Sequence, residues 1–128
     1  MGGVLLYSMF YITTSFINMK FELRNAKTFG WEGIKGFEYN TKEDFEKASV
    51  VFAEVSGRHG KIKNIKSERI YIVVEGKGEF IINDEVVPVE RNDVIIIPKN
   101  TPYDYQGKMK MFLVDTPAFE KGADIKLE

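Results

Sequence analysis

From Ser49 onward the chain alternates short apolar runs with turn-forming residues. The runs are rich in Val, Ile, Phe and Tyr, and clusters of Gly, Asn, Asp and Pro separate them. This pattern predicts strands over residues 50–55, 69–75, 79–82, 85–89, 94–97 and 109–115. Short strands at this spacing indicate an antiparallel sandwich or a closed barrel, which removes exposed strand edges.

Turn chemistry connects these predicted strands. Asn83-Asp84 and residues 91–93 (RND) are typical of tight turns, and residues 76–78 (GKG) are predicted to form a hairpin turn. A phosphate loop is not indicated at 76–78, because no helix follows it. Pro88 inside one run predicts an edge strand or a bulge, since proline cannot donate to a strand ladder.

The first 19 residues differ from the rest because they carry no charged side chain and contain an apolar run over 4–12. A membrane span needs about 20 mostly apolar residues, and polar residues at 13–15 interrupt this run. A secretory signal needs a positive charge ahead of the run, and there is none. We predict an apolar arm that pairs with an edge strand. The alternative is an upstream extension of a chain that naturally starts at Met19.

Residues 20–128 are predicted to form the barrel domain. Its early part is mixed, and Gly30, Gly33 and Gly36 suggest turns around Trp31. Residues 41–48 begin with Thr and acidic residues, which predicts one short helical turn capped by Thr41.

Composition narrows the class of protein. Apolar residues make up 44 % and charged residues 29 % of the 128, which indicates a folded globular domain. The formal net charge is −1, so nothing favours nucleic-acid binding, which usually requires a basic face. There is no cysteine, which excludes a disulfide framework and a thiolate metal site. We expect a cytoplasmic protein without a membrane partner.

Two segments resemble the conserved motifs of the cupin family. Residues 69–79 (RIYIVVEGKGE) look like the second half of its first motif, and residues 93–103 (DVIIIPKNTPY) look like its second. Residues 112–119 (FLVDTPAF) resemble the closing strand of short cupins. The resemblance implies an all-β, jelly-roll-like antiparallel barrel. It also implies a dimer, which we expect to form through strand or arm exchange.

The positions that hold the metal in such cupins carry unusual residues here. The family site resembles three histidines and one glutamate. Aligned on Gly76, those positions fall on Ile62 and Asn64 (or Lys63 and Ile65), Arg69 and Tyr103. The chain has a single histidine, His59, so one chain cannot supply three imidazoles. We predict no metal and no other cofactor.

Without a metal, the predicted interior is lined by a guanidinium and phenols. Strand alternation places Arg69 and Tyr71 on one face and Tyr103 and Tyr105 on another. These four residues are the candidate ligand-binding set, for a small organic or anionic molecule. In the structural alternative, Arg69 pairs with an internal carboxylate, and the candidates are Glu54, Glu68 and Asp104. An internal partner of this kind would count against an anion site.

His59 and Tyr103 are weak candidates for catalytic residues. His59 lies between Gly57 and Gly60, which predicts an exposed turn. The alternative to a solvated loop histidine is a catalytic role, as in metal-free cupins that epimerise nucleotide-linked sugars. In those enzymes a His takes a proton from the substrate and a Tyr returns one. His59 with Tyr103 or Tyr71 would supply those groups.

Three functions therefore stay open: a metal-independent binding protein, an isomerase or epimerase, and a structural, oligomer-forming barrel. A plugged interior would favour the structural role, and an open cavity would favour binding. An epimerase requires His59 and a tyrosine on the same cavity. The basic residues Arg58, Lys61, Lys63 and Lys66 are predicted to lie on a solvated outer face.

Overall fold

The computed structural model describes residues 19–128, so residues 1–18 of the predicted arm lie outside them. A short 3-10 turn (Leu23–Asn25) precedes nine strands. The strands are β1 (Lys27–Trp31), β2 (Ile34–Glu38), β3 (Ser49–Arg58), β4 (Ile62–Asn64), β5 (Glu68–Ile82), β6 (Glu85–Glu90), β7 (Val94–Ile97), β8 (Tyr103–Thr116) and β9 (Asp124–Lys126). No helix among these residues is long and apolar enough to cross a membrane.

All pairings in the sheet are antiparallel, and the sheet curls into a barrel. The path β1–β2–β3–β8–β4–β9 runs through β8, which also pairs with β5, and β5 pairs in turn with β6 and β7. The all-β barrel prediction is thus confirmed. Among the described residues β6 pairs with β5 alone, so Pro88 lies on an edge strand as predicted.

The long antiparallel pair β5–β8 forms the frame of the barrel. Its register runs from Glu68 opposite Thr116 to Ile82 opposite Tyr103, with a bulge between Val73 and Glu75. Inward residues alternate along both strands, since successive side chains point to opposite faces. The core they build contains Ile34, Val55, Ile62, Tyr71, Val73, Phe80, Val89, Ile95, Ile97, Tyr103, Tyr105, Met109 and Met111.

The prediction of a hairpin turn at residues 76–78 is wrong, because these residues lie inside β5. Their glycines allow a close approach between backbones. A Cβ on Gly78 would lie 2.3 Å from the carbonyl oxygen of Gln106, and one on Gly76 would lie 2.2 Å from that of Lys108. The true hairpin turn comes at Asn83-Asp84, as predicted. Both residues have positive φ (49° and 67°), the conformation that two-residue hairpins require.

One further local prediction fails, and another holds in part. Gly30 and Gly36 lie within β1 and β2, and only Gly33 (φ 87°) is at the turn of this hairpin. The predicted single helical turn forms at Thr41, since the backbone N–H of Phe45 donates to the carbonyl of Thr41 at 3.1 Å, but no helix continues to residue 48. Asp44 binds back to Thr41, whose backbone N–H and Oγ1 lie 2.9 and 3.3 Å from Asp44 Oδ2. The side-chain cap is therefore the aspartate, and it closes an isolated turn.

Candidate functional site

Arg69 is the charged centre of the barrel interior. It alternates with Tyr71 and Val73 on the inner face of β5, and only 3 % of its surface is exposed. A buried guanidinium is costly unless its donors are satisfied by acceptors, preferably charged ones. The question at this site is therefore which groups surround Arg69.

Two aspartates and one phenol satisfy all three nitrogens of Arg69. Its Nε and Nη2 lie 2.8 and 3.3 Å from the two carboxylate oxygens of Asp115, in a bidentate pair. Its Nη1 and Nη2 lie 2.9 and 3.2 Å from the oxygens of Asp124. Nη1 also donates to Tyr103 Oη at 2.8 Å. The guanidinium is thus engaged inside the protein, which counts against Arg69 as the anchor of an anionic ligand.

The partners expected for Arg69 were the wrong carboxylates. Asp104 binds Arg58 at 2.6 Å, and Glu68 accepts the backbone N–H of Lys99 at 2.6 Å. Asp115 could have been predicted as a partner of Arg69, because it lies an even number of residues after Tyr103 on β8 and therefore points to the same face of the strand. Asp124 follows the last predicted strand and gave no sequence signal.

Three buried tyrosines continue the network from Arg69. Tyr103 Oη lies 2.6 Å from Tyr71 Oη, and the ring of Tyr105 lies 5.5 Å from that of Tyr71 in an edge-to-face arrangement. Burial raises the pKa of all three phenols above the ordinary value. They therefore stay protonated at neutral pH and can act as hydrogen-bond donors. Tyr103 lies behind Tyr71 and does not reach the cavity wall, whereas Tyr71 and Tyr105 do.

His59 lies on the cavity wall, and the expectation of an exposed loop histidine is wrong. Its ring packs 4.6 Å from that of Tyr105 and 5.2 Å from that of Trp31, measured between centroids. Its Nδ1 lies 2.8 Å from the carbonyl oxygen of Gly60, so in the neutral ring Nδ1 carries the proton and Nε2 is the free base. Burial lowers the pKa of His59, which keeps the imidazole neutral near pH 7.

A cavity of about 360 Å³ joins these groups at one end of the barrel, and we call it the open cavity. Its size falls in the range of about 300–1,000 Å³ that is typical of small-molecule sites. Its aromatic wall consists of Phe29, Trp31 and Phe119. Its polar wall contains Lys27, Glu38, His59, Arg69, Tyr71, Tyr105, Asp115 and Asp124. The described residues thus leave this end of the barrel unplugged.

The polar wall carries a small excess of negative charge. Two cations (Lys27 and Arg69) face three carboxylates (Glu38, Asp115 and Asp124), which gives a formal balance of −1 with His59 neutral. Burial raises the pKa of Asp115, and the guanidinium of Arg69 opposes that rise. The wall of the open cavity therefore offers no net positive charge to an anionic ligand.

A wider groove of about 910 Å³ lies elsewhere, along Gly57, Gly78 and Gly107. These three glycines lie opposite each other on β3, β5 and β8. The groove is open to solvent, and none of the buried titratable residues of the barrel interior lines it. Its shape follows from the close approach of these strands, so we do not regard it as the functional site.

The residues at the metal positions do not fit a metal ion. Ile62 is apolar, and Arg69 is a cation already paired with carboxylates. Asn64 is used structurally, since it donates to Asp124 and accepts the backbone N–H groups of Lys66 and Ser67. Within residues 19–128, no group of three or more His, Cys, Asp or Glu side chains is placed to hold a metal.

The basic run is partly neutralised by acidic neighbours. Arg58 pairs with Asp104 and Glu128, and Lys66 pairs with Glu120. Lys63 is partly exposed on β4, opposite in orientation to buried Ile62, as strand alternation predicts. These contacts favour a structural, solvated role for the run.

Comparison with known proteins identifies the family and the fold of the chain. The profile of the cupin domain matches residues 57–115. Structures of Streptomyces Pac13, described as a nucleoside dehydratase, are similar to this chain. A His→Gln variant of Pac13 with uridine has 30 % sequence identity and a TM-score of 0.80, covering 87 % of this chain and 92 % of Pac13. Two Tyr→Phe variants of Pac13 were also solved with uridine.

More distant structures share the fold alone. KdgF from Halomonas sp. has 14 % identity and a TM-score of 0.68, covering 78 % of this chain and 94 % of KdgF. Oxalate decarboxylase from Bacillus subtilis has 20 % identity and a TM-score of 0.76, covering 86 % of this chain and 32 % of that enzyme. No curated protein sequence matches this chain significantly.

Proposed function

The chain belongs to the cupin family, and we propose that it binds an uncharged nucleoside in the open cavity and removes water from it without a metal. The observation that carries the proposal is the placement of His59, Tyr71 and Tyr105 on one cavity wall. The similarity to a nucleoside dehydratase whose His and Tyr variants were solved with uridine supports it.

The base in this scheme is Nε2 of His59. Because Nδ1–H points to the carbonyl of Gly60 and burial lowers the pKa, the ring is neutral and its free lone pair is on Nε2. An imidazole takes a carbon-bound proton where a neighbouring carbonyl spreads the resulting charge. We therefore expect a substrate with a carbonyl next to that carbon, and a hydroxyl on the carbon beyond.

The acid in this scheme is a cavity-facing phenol. As Nε2 takes the proton, the electrons of the C–H bond form a carbon–carbon double bond, and the C–O bond breaks. The leaving hydroxide takes a proton from Tyr71 or Tyr105 and departs as water. Proton transfer from protonated His59 back to the phenolate restores both groups. Both phenols hold their protons at neutral pH, because an ordinary phenol has a pKa of about 10 and burial raises the pKa of both further.

The open cavity also supports binding of an uncharged ligand in preference to an anion. The formal charge balance of its wall is −1, and the donors of Arg69 are already engaged. Like charges brought together at a binding site cost several kcal/mol, so uridine is expected to bind at least ~10-fold more tightly than its 5′-phosphate. Equal or tighter binding of the phosphate would overturn the proposed charge preference.

The test combines binding and turnover. Uridine binding is measured by calorimetry, and nucleosides oxidised to a carbonyl at one sugar carbon are then followed by mass spectrometry for loss of one water. We expect His59→Gln to bind uridine and to lose about 10²–10⁴-fold in turnover. If the protein binds uridine but none of the oxidised nucleosides loses water, the protein binds nucleosides without dehydrating them. Full turnover by His59→Gln would exclude His59 as the catalytic base.

A further inference from the structure

Two aromatic side chains at the mouth of the open cavity are exposed to an unusual degree. Phe29 and Trp31 lie two residues apart on β1, which pairs with β2 alone within residues 19–128, so both point to the same side of the strand. They are 44 % and 49 % exposed, although tryptophan is highly buried on average in folded proteins. Both line the same cavity as His59.

The contacts beneath these rings hold them in place. Trp31 Nε1 donates to the backbone carbonyl of His59 at 3.1 Å, and the Trp31 ring meets the His59 imidazole at 71°. The Phe29 ring lies directly over Gly36, where an added Cβ would be 2.2 Å away. The Phe29 and Trp31 centroids are 6.4 Å apart. Two flat apolar surfaces are thus fixed beside the proposed base.

We propose that Phe29 and Trp31 form a stacking platform for the nucleobase, which directs the sugar inward to His59 and Tyr71. This inference rests on the proposed nucleoside ligand. A planar ring fits such a platform because every base has a π face that stacks on aromatic side chains. Placing the base at the mouth leaves the polar inner wall to the sugar hydroxyls, which need hydrogen-bond partners.

The platform explains two sequence features that the proton-transfer chemistry does not use. Gly36 leaves room for the Phe29 ring, since any larger residue would displace the ring from this position. Trp31 donates a hydrogen bond to the backbone carbonyl of His59, the residue whose side chain is the proposed catalytic base. The position of the nucleobase on Trp31 is thereby linked to the position of His59 Nε2.

The chain offers its own probe, because Trp31 is its single tryptophan. Titration of the wild-type protein with uridine is expected to change Trp31 fluorescence with the same midpoint that calorimetry gives. Ribose, which lacks the base, is expected to leave the emission unchanged. Since this measurement needs no variant, it does not depend on a mutant that folds.

Variants then measure the contribution of each ring. Trp31→Ala and Phe29→Ala are each expected to weaken uridine binding by ~5- to 150-fold, the range for loss of one stacking partner. Trp31→Phe keeps a flat face and should retain most of the affinity. The matched control is Phe45→Ala, since Phe45 is 43 % exposed but does not line the open cavity. It is expected to bind uridine like the wild type.

The outcomes separate this inference from the proposed function. Tight uridine binding with unchanged Trp31 emission, and with wild-type affinity in both alanine variants, would overturn the platform and keep the nucleoside site. Absence of uridine binding in the calorimeter would overturn both. Equal binding of ribose and uridine would also exclude a platform that recognises the base.

Discussion

The two ends of the barrel interior are built by the same strands, β5 and β8, yet they differ in chemistry. We call the apolar core residues Val73, Met109 and Met111 the closed end, because none of them lines the open cavity and they are only 0–3 % exposed. At the open end Arg69 and Asp115 are just as buried, at 3 % and 2 %. Equal burial therefore does not mean equal energetics, because charged groups need partners that methyl groups do not.

The polar end is stable only as a complete network. Among the described residues, no buried side-chain nitrogen or oxygen lacks a hydrogen-bond partner. Replacing a buried ion pair by apolar groups is often neutral, whereas removing one partner is strongly destabilising. The closed end therefore stabilises the fold by packing. The open end keeps buried ionisable groups, and its hydrogen bonds and ion pairs offset the free-energy cost of removing those groups from water.

The largest effect is expected at the open end, from Arg69→Met. Loss of the guanidinium leaves Asp115 buried without a counter-charge, which should lower the free energy of unfolding by about 3–5 kcal/mol. Urea denaturation at neutral pH measures this. The matched control is Lys66→Met, because Lys66 pairs with Glu120 at the surface, where salt bridges contribute little to stability. Equal losses in both variants would refute the network argument.

The double variant Arg69→Met/Asp115→Leu sharpens that test. Removal of both charges should recover much of the stability lost in Arg69→Met, because no lone charge remains beside the apolar core. A double variant as unstable as the single one would mean that Arg69 contributes by packing.

A slightly smaller loss is expected at the closed end, from Met111→Ala. Met111 is fully buried, and truncation of such a residue costs about 2–5 kcal/mol through lost burial and the remaining cavity. Because Met111 does not line the open cavity, uridine affinity of the folded variant should be unchanged. Val86→Ala, at a 55 % exposed position, is the control and should change stability little. A large drop in uridine affinity in Met111→Ala would contradict the division between the two ends.

Tyr71→Phe is expected to change stability less and function more. The lost hydroxyl breaks the 2.6 Å contact with Tyr103, which keeps its bond to Arg69, so the cost in unfolding free energy should be about 0.5–1.5 kcal/mol. Turnover should fall by about 10²-fold or more if Tyr71 gives up the proton. Tyr39→Phe, outside the open cavity, serves as the control. Unchanged turnover in Tyr71→Phe would assign the acid to Tyr105.

Sequence patterns predicted the part of the fold in which one face of a strand is buried. The alternation of apolar and polar residues, together with the turn residues, predicted β6 and β7 and parts of β3 and β8. It also placed the side chains of Arg69 and Tyr71 inside the barrel. The hairpin β1–β2 was missed because Gly30, Gly33 and Gly36 were all interpreted as turns, whereas only Gly33 lies at the turn between the two strands. The glycines at 76–78 were misread because glycine marks both turns and close backbone contacts.

The candidate site was only partly visible in the sequence because its members meet through barrel closure. Arg69 and Tyr103 lie near opposite ends of the β5–β8 ladder, yet the curled sheet brings their side chains to 2.8 Å. Asp124 arrives from β9, which has three residues and no apolar pattern. His59 was expected to be exposed because of its glycine neighbours, whereas its packing on Trp31 and Tyr105 places it in the wall.

The smallest effect is the pH dependence that His59 gives to stability. Its pKa in the folded protein is lowered below the ordinary 6.5, mainly by burial, so the unfolded chain binds the proton more readily. The resulting stability is fully present above pH 6.5 and is lost as the pH falls through the lowered folded pKa. Since His59 is the single histidine, NMR titration of its ring reports this pKa without overlap. His59→Gln should remove the pH dependence in that window, and a folded midpoint at or above 6.5 would show that the imidazole is not the neutral base of the open cavity.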